Sequence, residues 1–130
     1  MSKSVKRRLI IFAIVVFGIS FYILMSNAFA LRNQYIGYYE TAVEDINNGD
    51  YADAVYQFER IPRVEGWGVG EHSDAPELYD YAKKMCAYTS ALSYYENGYY
   101  REAYDLFITL DDFKDSAQYA IKCWEENDDR

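Results

Sequence analysis

The sequence predicts an all-α protein: an N-terminal transmembrane helix, then two antiparallel helix pairs, then a C-terminal helix. Three observations carry this. Residues 9–31 hold no charged side chain, a block of sequence recurs at an offset of 49 residues, and apolar residues elsewhere fall at helical spacing. No stretch alternates cleanly between apolar and polar residues, so no strand is expected. With 130 residues there is room for one domain beside a targeting segment.

The first element is the uncharged segment. Residues 1–8 form a short basic segment with Lys3, Lys6, Arg7 and Arg8, the only charges in residues 1–30. The 23 residues that follow, 9–31, would span roughly 35 Å as a helix at ~1.5 Å per residue. That exceeds a bilayer core of ~30 Å. Its densest part, residues 9–25, is broken only by Gly18, Ser20 and Tyr22. The four cations hold the N-terminus in the cytoplasm and place residues 32–130 outside, as a single-pass protein of the cell membrane. Ala28-Phe29-Ala30 fits the small-x-small pattern cut by a signal peptidase, so the alternative is a secreted chain cleaved after Ala30. The apolar stretch is longer than the roughly 7–15 residues usual in a signal peptide, which favours the retained anchor. No cysteine follows it for lipid attachment.

The domain proper covers residues 33–126, with an acidic tail at 127–130. Within it, residues 49–61 line up with residues 98–110. Both read Gly-x-Tyr-x-acid-Ala-x-x-x-Phe-x-x-aliphatic, giving the pairs Gly49/Gly98, Tyr51/Tyr100, Ala54/Ala103 and Phe58/Phe107. The match extends upstream through Tyr39/Tyr88, Ala42/Ala91 and Asn48/Asn97. Such internal repetition marks a stacked supersecondary unit. Tyr51, Ala54, Val55, Phe58 and Ile61 draw one apolar stripe on a helix, as do Tyr100, Ala103, Tyr104, Phe107 and Leu110. The small alanines admit a neighbouring helix, and the phenylalanines fill the space beyond. Gly49 and Gly98 supply the backbone freedom needed where one helix stops and the next begins. Asp50 is expected to cap the helix that follows it, with Asp53 at N3. Tyr99 takes the equivalent place in the second copy, where a poorer cap predicts a weaker turn unless Tyr99 has another use.

The partner helices are amphipathic too. Residues 33–48 place Ile36, Tyr39, Val43 and Ile46 on one face, and residues 75–97 place Leu78, Ala82, Met85, Thr89 and Leu92 on one face. The second of these has Asp74 as N-cap, Pro76 in its first turn and Glu77 at N3. A last helix is expected over 113–126, capped by Asp112, with Phe113, Ala117, Ile121 and Trp124 turned inward.

The Gly-x-Tyr-x-x-Ala-x-x-x-Phe pattern resembles tetratricopeptide repeats. Asp111-Asp112-Phe113-Lys114-Asp115-Ser116-Ala117, followed by Lys122-Cys123-Trp124, is similar to a variant repeat of bacterial envelope and membrane proteins. The resemblance covers roughly residues 35–126. It implies a TPR-like helical scaffold or adaptor that binds other proteins. The first copy departs from it, with a longer loop where the Asp-aromatic-Lys-Asp-Ser link would stand. Two copies are also fewer than the three or more that stacked repeats usually need, so self-association or a partner would complete the core.

Charge narrows the partners. Residues 31–130 hold 9 basic and 21 acidic side chains, a formal net charge of −12. Nucleic acid and anionic headgroups would repel such a domain, whereas a basic protein segment would be attracted. The membrane is expected to be met through residues 9–31 alone.

Candidate contact residues are aromatic. Trp67, set between Gly66 and Gly68, is not explained by helix packing; it either suits a partner contact or folds back onto the helix pair and plugs the groove. Tyr94, Tyr95, Tyr99 and Tyr100 cluster at the second turn, and Tyr35, Tyr38 and Tyr39 near the membrane exit. These tyrosines read first as repeat core plus an interfacial aromatic belt, and alternatively as an aromatic, acid-rimmed groove for a basic ligand or cell-wall glycan. No catalytic site is expected. The glycines of residues 62–74 have neither the preceding strand nor the Lys-Ser/Thr pair of a phosphate loop. His72, Ser73 and Asp74 are chain neighbours rather than a converging triad, and read as a solvated helix start. One histidine and two cysteines, Cys86 and Cys123, make no transition-metal set, and the acidic pairs lack calcium-loop spacing. No cofactor is expected. Cys86 and Cys123 read first as buried helix residues, with a disulfide as the alternative.

Overall fold

A computed structural model describes residues 2–62 and 72–128. Trp67 lies outside the described residues. Those residues form five helices and no strand: α1 (Lys3–Asn48), α2 (Tyr51–Glu59), α3 (Ala75–Glu96), α4 (Tyr100–Leu110) and α5 (Ser116–Asp128). The chain divides into two compact units, Met1–Gly37 and Tyr38–Arg130.

The first unit is the apolar part of α1. Among the described residues, α1 is the one helix long and apolar enough to cross a membrane, a test that signal sequences also pass. Its Leu, Ile, Val and Phe side chains are exposed, Phe17 by 74%. A largely apolar surface of this extent needs a non-aqueous phase or a partner to cover it.

The second unit is built by successive packing: α2 on α3, α3 on α4, α4 on α5. Residues Tyr38 to Asn48 of α1 also belong to it. Its core repeats at the offset of 49. Ala42, Ala54 and Phe58 are wholly buried, and so are their counterparts Ala91, Ala103 and Phe107. Tyr39 meets Phe58 edge-on at 6.3 Å and 74°, and Tyr88 meets Phe107 edge-on at 6.1 Å and 72°. Alanine at the crossing lets the helices approach, and each buried Phe then contributes roughly 1.5–3 kcal/mol.

The two interhelical turns are also the same. Gly49 and Gly98 stand at φ 84° and 80°, a region that costs glycine least. Gly49 N–H donates to the Ile46 carbonyl at 3.1 Å and Asp50 N–H to the Asp45 carbonyl at 2.8 Å. Gly98 N–H donates to Tyr95 at 3.1 Å and Tyr99 N–H to Tyr94 at 2.9 Å. Both are Schellman closures of the preceding helix. One expectation is corrected here: Asp50 makes no side-chain cap bond, and neither does Tyr99, so both turns close through the same backbone bonds. Tyr99 has its use as the residue after the turn glycine: its ring packs edge-on to Tyr94 at 6.2 Å, the apolar contact that accompanies this closure.

Asp74 likewise makes no side-chain cap bond for α3. Its carboxylate instead accepts the Tyr39 hydroxyl at 2.7 Å. Pro76 does occupy the first turn. On α3, Thr89 is not a core residue: it is exposed and its hydroxyl donates back to the Met85 carbonyl at 2.9 Å. Ala75, Tyr79 and Ala91 are buried in addition to Ala82 and Met85.

The largest correction concerns α5. It begins at Ser116 rather than Phe113, because Asp111 and Lys114, both at positive φ, turn the chain first. Its buried face is Ser116, Ala120 and Cys123, with Tyr119 stacked on Phe107 at 5.1 Å and 15°. Ala117 is exposed, Ile121 is 61% exposed and Trp124 63% exposed. Phe113, ahead of the helix, is half-buried against Tyr81 and Tyr88 as expected, but the other three residues of the stripe face out.

Candidate interaction surface

Of the five contact residues singled out by sequence, four are described, and they divide between core and surface. Tyr95 and Tyr100 pack together at 5.5 Å, and Tyr95 also meets Tyr119 at 5.2 Å, so both lie against the core around Phe107. Tyr94 and Tyr99 are exposed, by 43% and 57%. Trp67 is not among the described residues. The tyrosines of the second turn therefore do not share one surface. Tyr38 and Tyr39 are engaged as well. The Arg60 guanidinium lies 4.1 Å from the Tyr38 ring centre, and its Nη2 donates to the Tyr38 hydroxyl at 2.8 Å.

Ser73 and Asp74 are exposed ahead of α3 as expected, but His72 is half-buried. Its ring lies 4.0 Å from that of Tyr39, and its Nδ1 is buried without a hydrogen-bond partner. Cys86 and Cys123 are free thiols, and burial pushes both above the ordinary thiol range. Raised thiols react slowly. Among the described residues, no group of three or more His, Cys, Asp or Glu is placed to hold a metal ion.

An apolar surface that sequence reasoning missed lies on α4 and α5. Tyr104 and Ile108 stand one turn apart on α4, and Ile108 is 50% exposed. Ile121 and Trp124 stand three residues apart on α5. Trp124 packs against Tyr104 at 5.9 Å and joins the two pairs. Beside them is an open groove of about 300 Å³ lined by Tyr100, Arg101, Tyr104, Asp105, Trp124 and Asn127.

A comparison within the chain shows that this surface is not a general feature of the helices. Ala75, Tyr79 and Ala82 on α3 and Ser116, Ala120 and Cys123 on α5 are buried at identical spacing, an offset of 41. At the same offset, the positions of Ile121 and Trp124 are held in α3 by Asp80 and Lys83, both exposed. At the offset of 49, the place of Ile108 is held in α2 by Glu59, which accepts the Tyr79 hydroxyl at 3.1 Å. Where the first copy turns polar groups to solvent, the second presents two isoleucines and a tryptophan. The available signal was the small-residue register of Ser116, Ala120 and Cys123, which competes with Phe113, Ala117, Ile121 and Trp124 for the inner face. Small residues win because α4 approaches closely there.

Charge frames the patch. Asp128 continues the Ile121–Trp124 line by one turn, with Glu125 beside it. The Lys122 ammonium lies 4.9 Å from the Tyr119 ring centre. Asp105 and Arg101 bound the groove on α4. No protein-family model, curated protein or solved structure matches the chain.

Proposed function

We propose that this chain is a membrane-anchored scaffold or adaptor that binds a protein segment outside the cytoplasmic membrane. Residues 9–31 are its anchor, with the N-terminus cytoplasmic. Residues 33–126 are a pair of tetratricopeptide-like units followed by a closing helix. That architecture is supported by the recurrence of the Tyr–Phe pair, the buried alanines and the glycine closure at one offset. The observation that carries the function is the exposed Ile108, Ile121 and Trp124 surface, placed where the first copy is polar. Trp in a small apolar setting rimmed by polar groups has the composition of a binding hot spot. The surrounding carboxylates and the domain's net charge of −12 favour a partner segment that carries Lys or Arg beside apolar anchors.

The test is affinity purification of the full-length protein from membranes, wild type against an Ile121→Asp/Trp124→Ala double variant, read by mass spectrometry. One dominant co-purifying protein is expected, its recovery falling at least about tenfold in the variant, consistent with the loss of a hot-spot residue. Equal recovery in both, or recovery of the bait alone at low and high salt, rejects the reading.

A further inference from the structure

We propose that the anchor helix pairs in the membrane with the anchor of a second copy of this chain, in parallel, through the face carrying Ser20 and Asn27. This rests on residues 9–31 being a retained span. Within them the polar side chains are Ser20, Tyr22, Ser26 and Asn27. Ala13, Ser20 and Asn27 are seven residues apart in series, and Val16, Ile23 and Ala30 fill the intervening positions. The spacing alternates three and four residues, which draws one seam along a helix. Phe21, Tyr22 and Phe29 lie on the opposite side. All of these side chains are exposed on α1. The seam is thus narrow and partly polar, and the far side is broad and aromatic.

The polar groups decide what covers the seam. A serine hydroxyl can satisfy itself on a carbonyl of its own helix. A carboxamide has two N–H donors and a carbonyl oxygen, and hydrocarbon offers it nothing. Ser20 is the midpoint of residues 9–31, and Asn27 lies roughly 10 Å along the axis at ~1.5 Å per residue. That is still inside the ~15 Å half-thickness of a ~30 Å core. Polar side chains at such depth turn to other helices rather than to lipid. The basic N-terminus inserts every copy in one direction, so a second copy brings its Asn27 to the same depth. An amide is complementary to itself: each can donate to the other's carbonyl oxygen. Ser20 then meets Ser20 in the same register, and Ala13 and Ala30 permit the backbones to approach. An unrelated helix would have to carry a matching polar group at that level. Pairing would double the interaction surfaces at one membrane site and raise avidity for a repeated partner. The acidic domains oppose it, so it tightens as salt screens them.

The experiment is sedimentation equilibrium of the full-length protein in density-matched, uncharged micelles under reducing conditions, with the intact mass recorded on the same membrane extract. Wild type is expected as a dimer. Asn27→Leu, which only adds apolar surface to the span, is expected to weaken the dimer by about tenfold. Phe21→Leu, on the far side, should leave it unchanged. A chain that begins at Leu31 overturns the anchor and the pairing together. A full-length chain that is monomeric, or whose dimer ignores Asn27→Leu, overturns the pairing and leaves the anchor standing.

Discussion

The Tyr88 hydroxyl donates a hydrogen bond to the Asp115 carboxylate and so ties the middle of α3 to the residue that precedes α5. Tyr39 makes the corresponding bond from α1 to Asp74, ahead of α3. In each copy a tyrosine that leans on the buried phenylalanine also fixes the start of the following helix. Both phenols are pushed up to about 12. For Tyr88 the hydrogen bond to Asp115 is the larger cause and burial the next; for Tyr39 burial comes first and Asp74 second.

Tyr88→Phe keeps the ring and removes the bond. It is expected to cost about 1.5 kcal/mol, the scale of a hydrogen bond to a charged group. Urea unfolding followed by tyrosine and tryptophan fluorescence measures it. An unchanged midpoint would show that the bond contributes nothing.

The same pair sets an alkaline limit. A phenol whose pKa rises on folding contributes its full stability below pH 10 and loses it as the pH rises from 10 to about 12. Wild type should therefore lose stability through that window, and Tyr88→Phe should lose less. Parallel curves for the two proteins would remove Tyr88 from the account.

Gly49 tests the turn closure. It sits at φ 84°, and a Cβ there would meet nothing within 4 Å, so Gly49→Ala is penalised through the backbone alone. The expected loss is about 1 kcal/mol. Asn tolerates this region better, and Gly49→Asn should recover much of it. Equal losses for Ala and Asn in thermal melts would contradict a backbone origin.

Asp45 is a built-in weakness. Burial first, then Asp53, Asp50 and Glu44, raise its carboxyl above the usual range, and its Oδ2 is buried without a hydrogen-bond partner. It also stands in the last turn of α1, where the helix dipole disfavours negative charge. A carboxyl whose folded pKa is raised favours folding when protonated and opposes it once the pH passes its unfolded value. Asp45→Asn should stabilise the domain by about 0.5–1 kcal/mol at pH 7. The gain should shrink toward pH 3–4, which melts at the two pH values would reveal.

The register of α5 separates two neighbours. Ile121→Asp should change stability by less than about 0.5 kcal/mol, as an exposed site does, whereas Cys123→Asp buries a charge and should prevent folding. Thiol labelling gives an independent check: half-buried Cys86 should react before wholly buried Cys123. Faster labelling of Cys123 would reverse the assigned face.

Periodicity and repetition are local properties, and they reached far. The long apolar N-terminal helix, the other helices and the pairing of Gly49 with Gly98 and Phe58 with Phe107 follow from residue spacing, because a helix exposes its register in the order of its side chains. What spacing leaves open is which of two apolar stripes a helix buries. On α5 the choice between Ala117/Ile121/Trp124 and Ser116/Ala120/Cys123 depends on how closely α4 approaches and on where Asp111 and Lys114 release the chain. The aspartates show the same division. Asp50 and Asp74 occupy capping positions by sequence, yet the glycine closure satisfies one helix end through the backbone, and Tyr39, 35 residues away, claims the Asp74 carboxylate. A hydroxyl that arrives from a distant helix leaves no trace in local spacing, and neither does the outward turn of Trp124, since both depend on helices that meet only once the chain is packed.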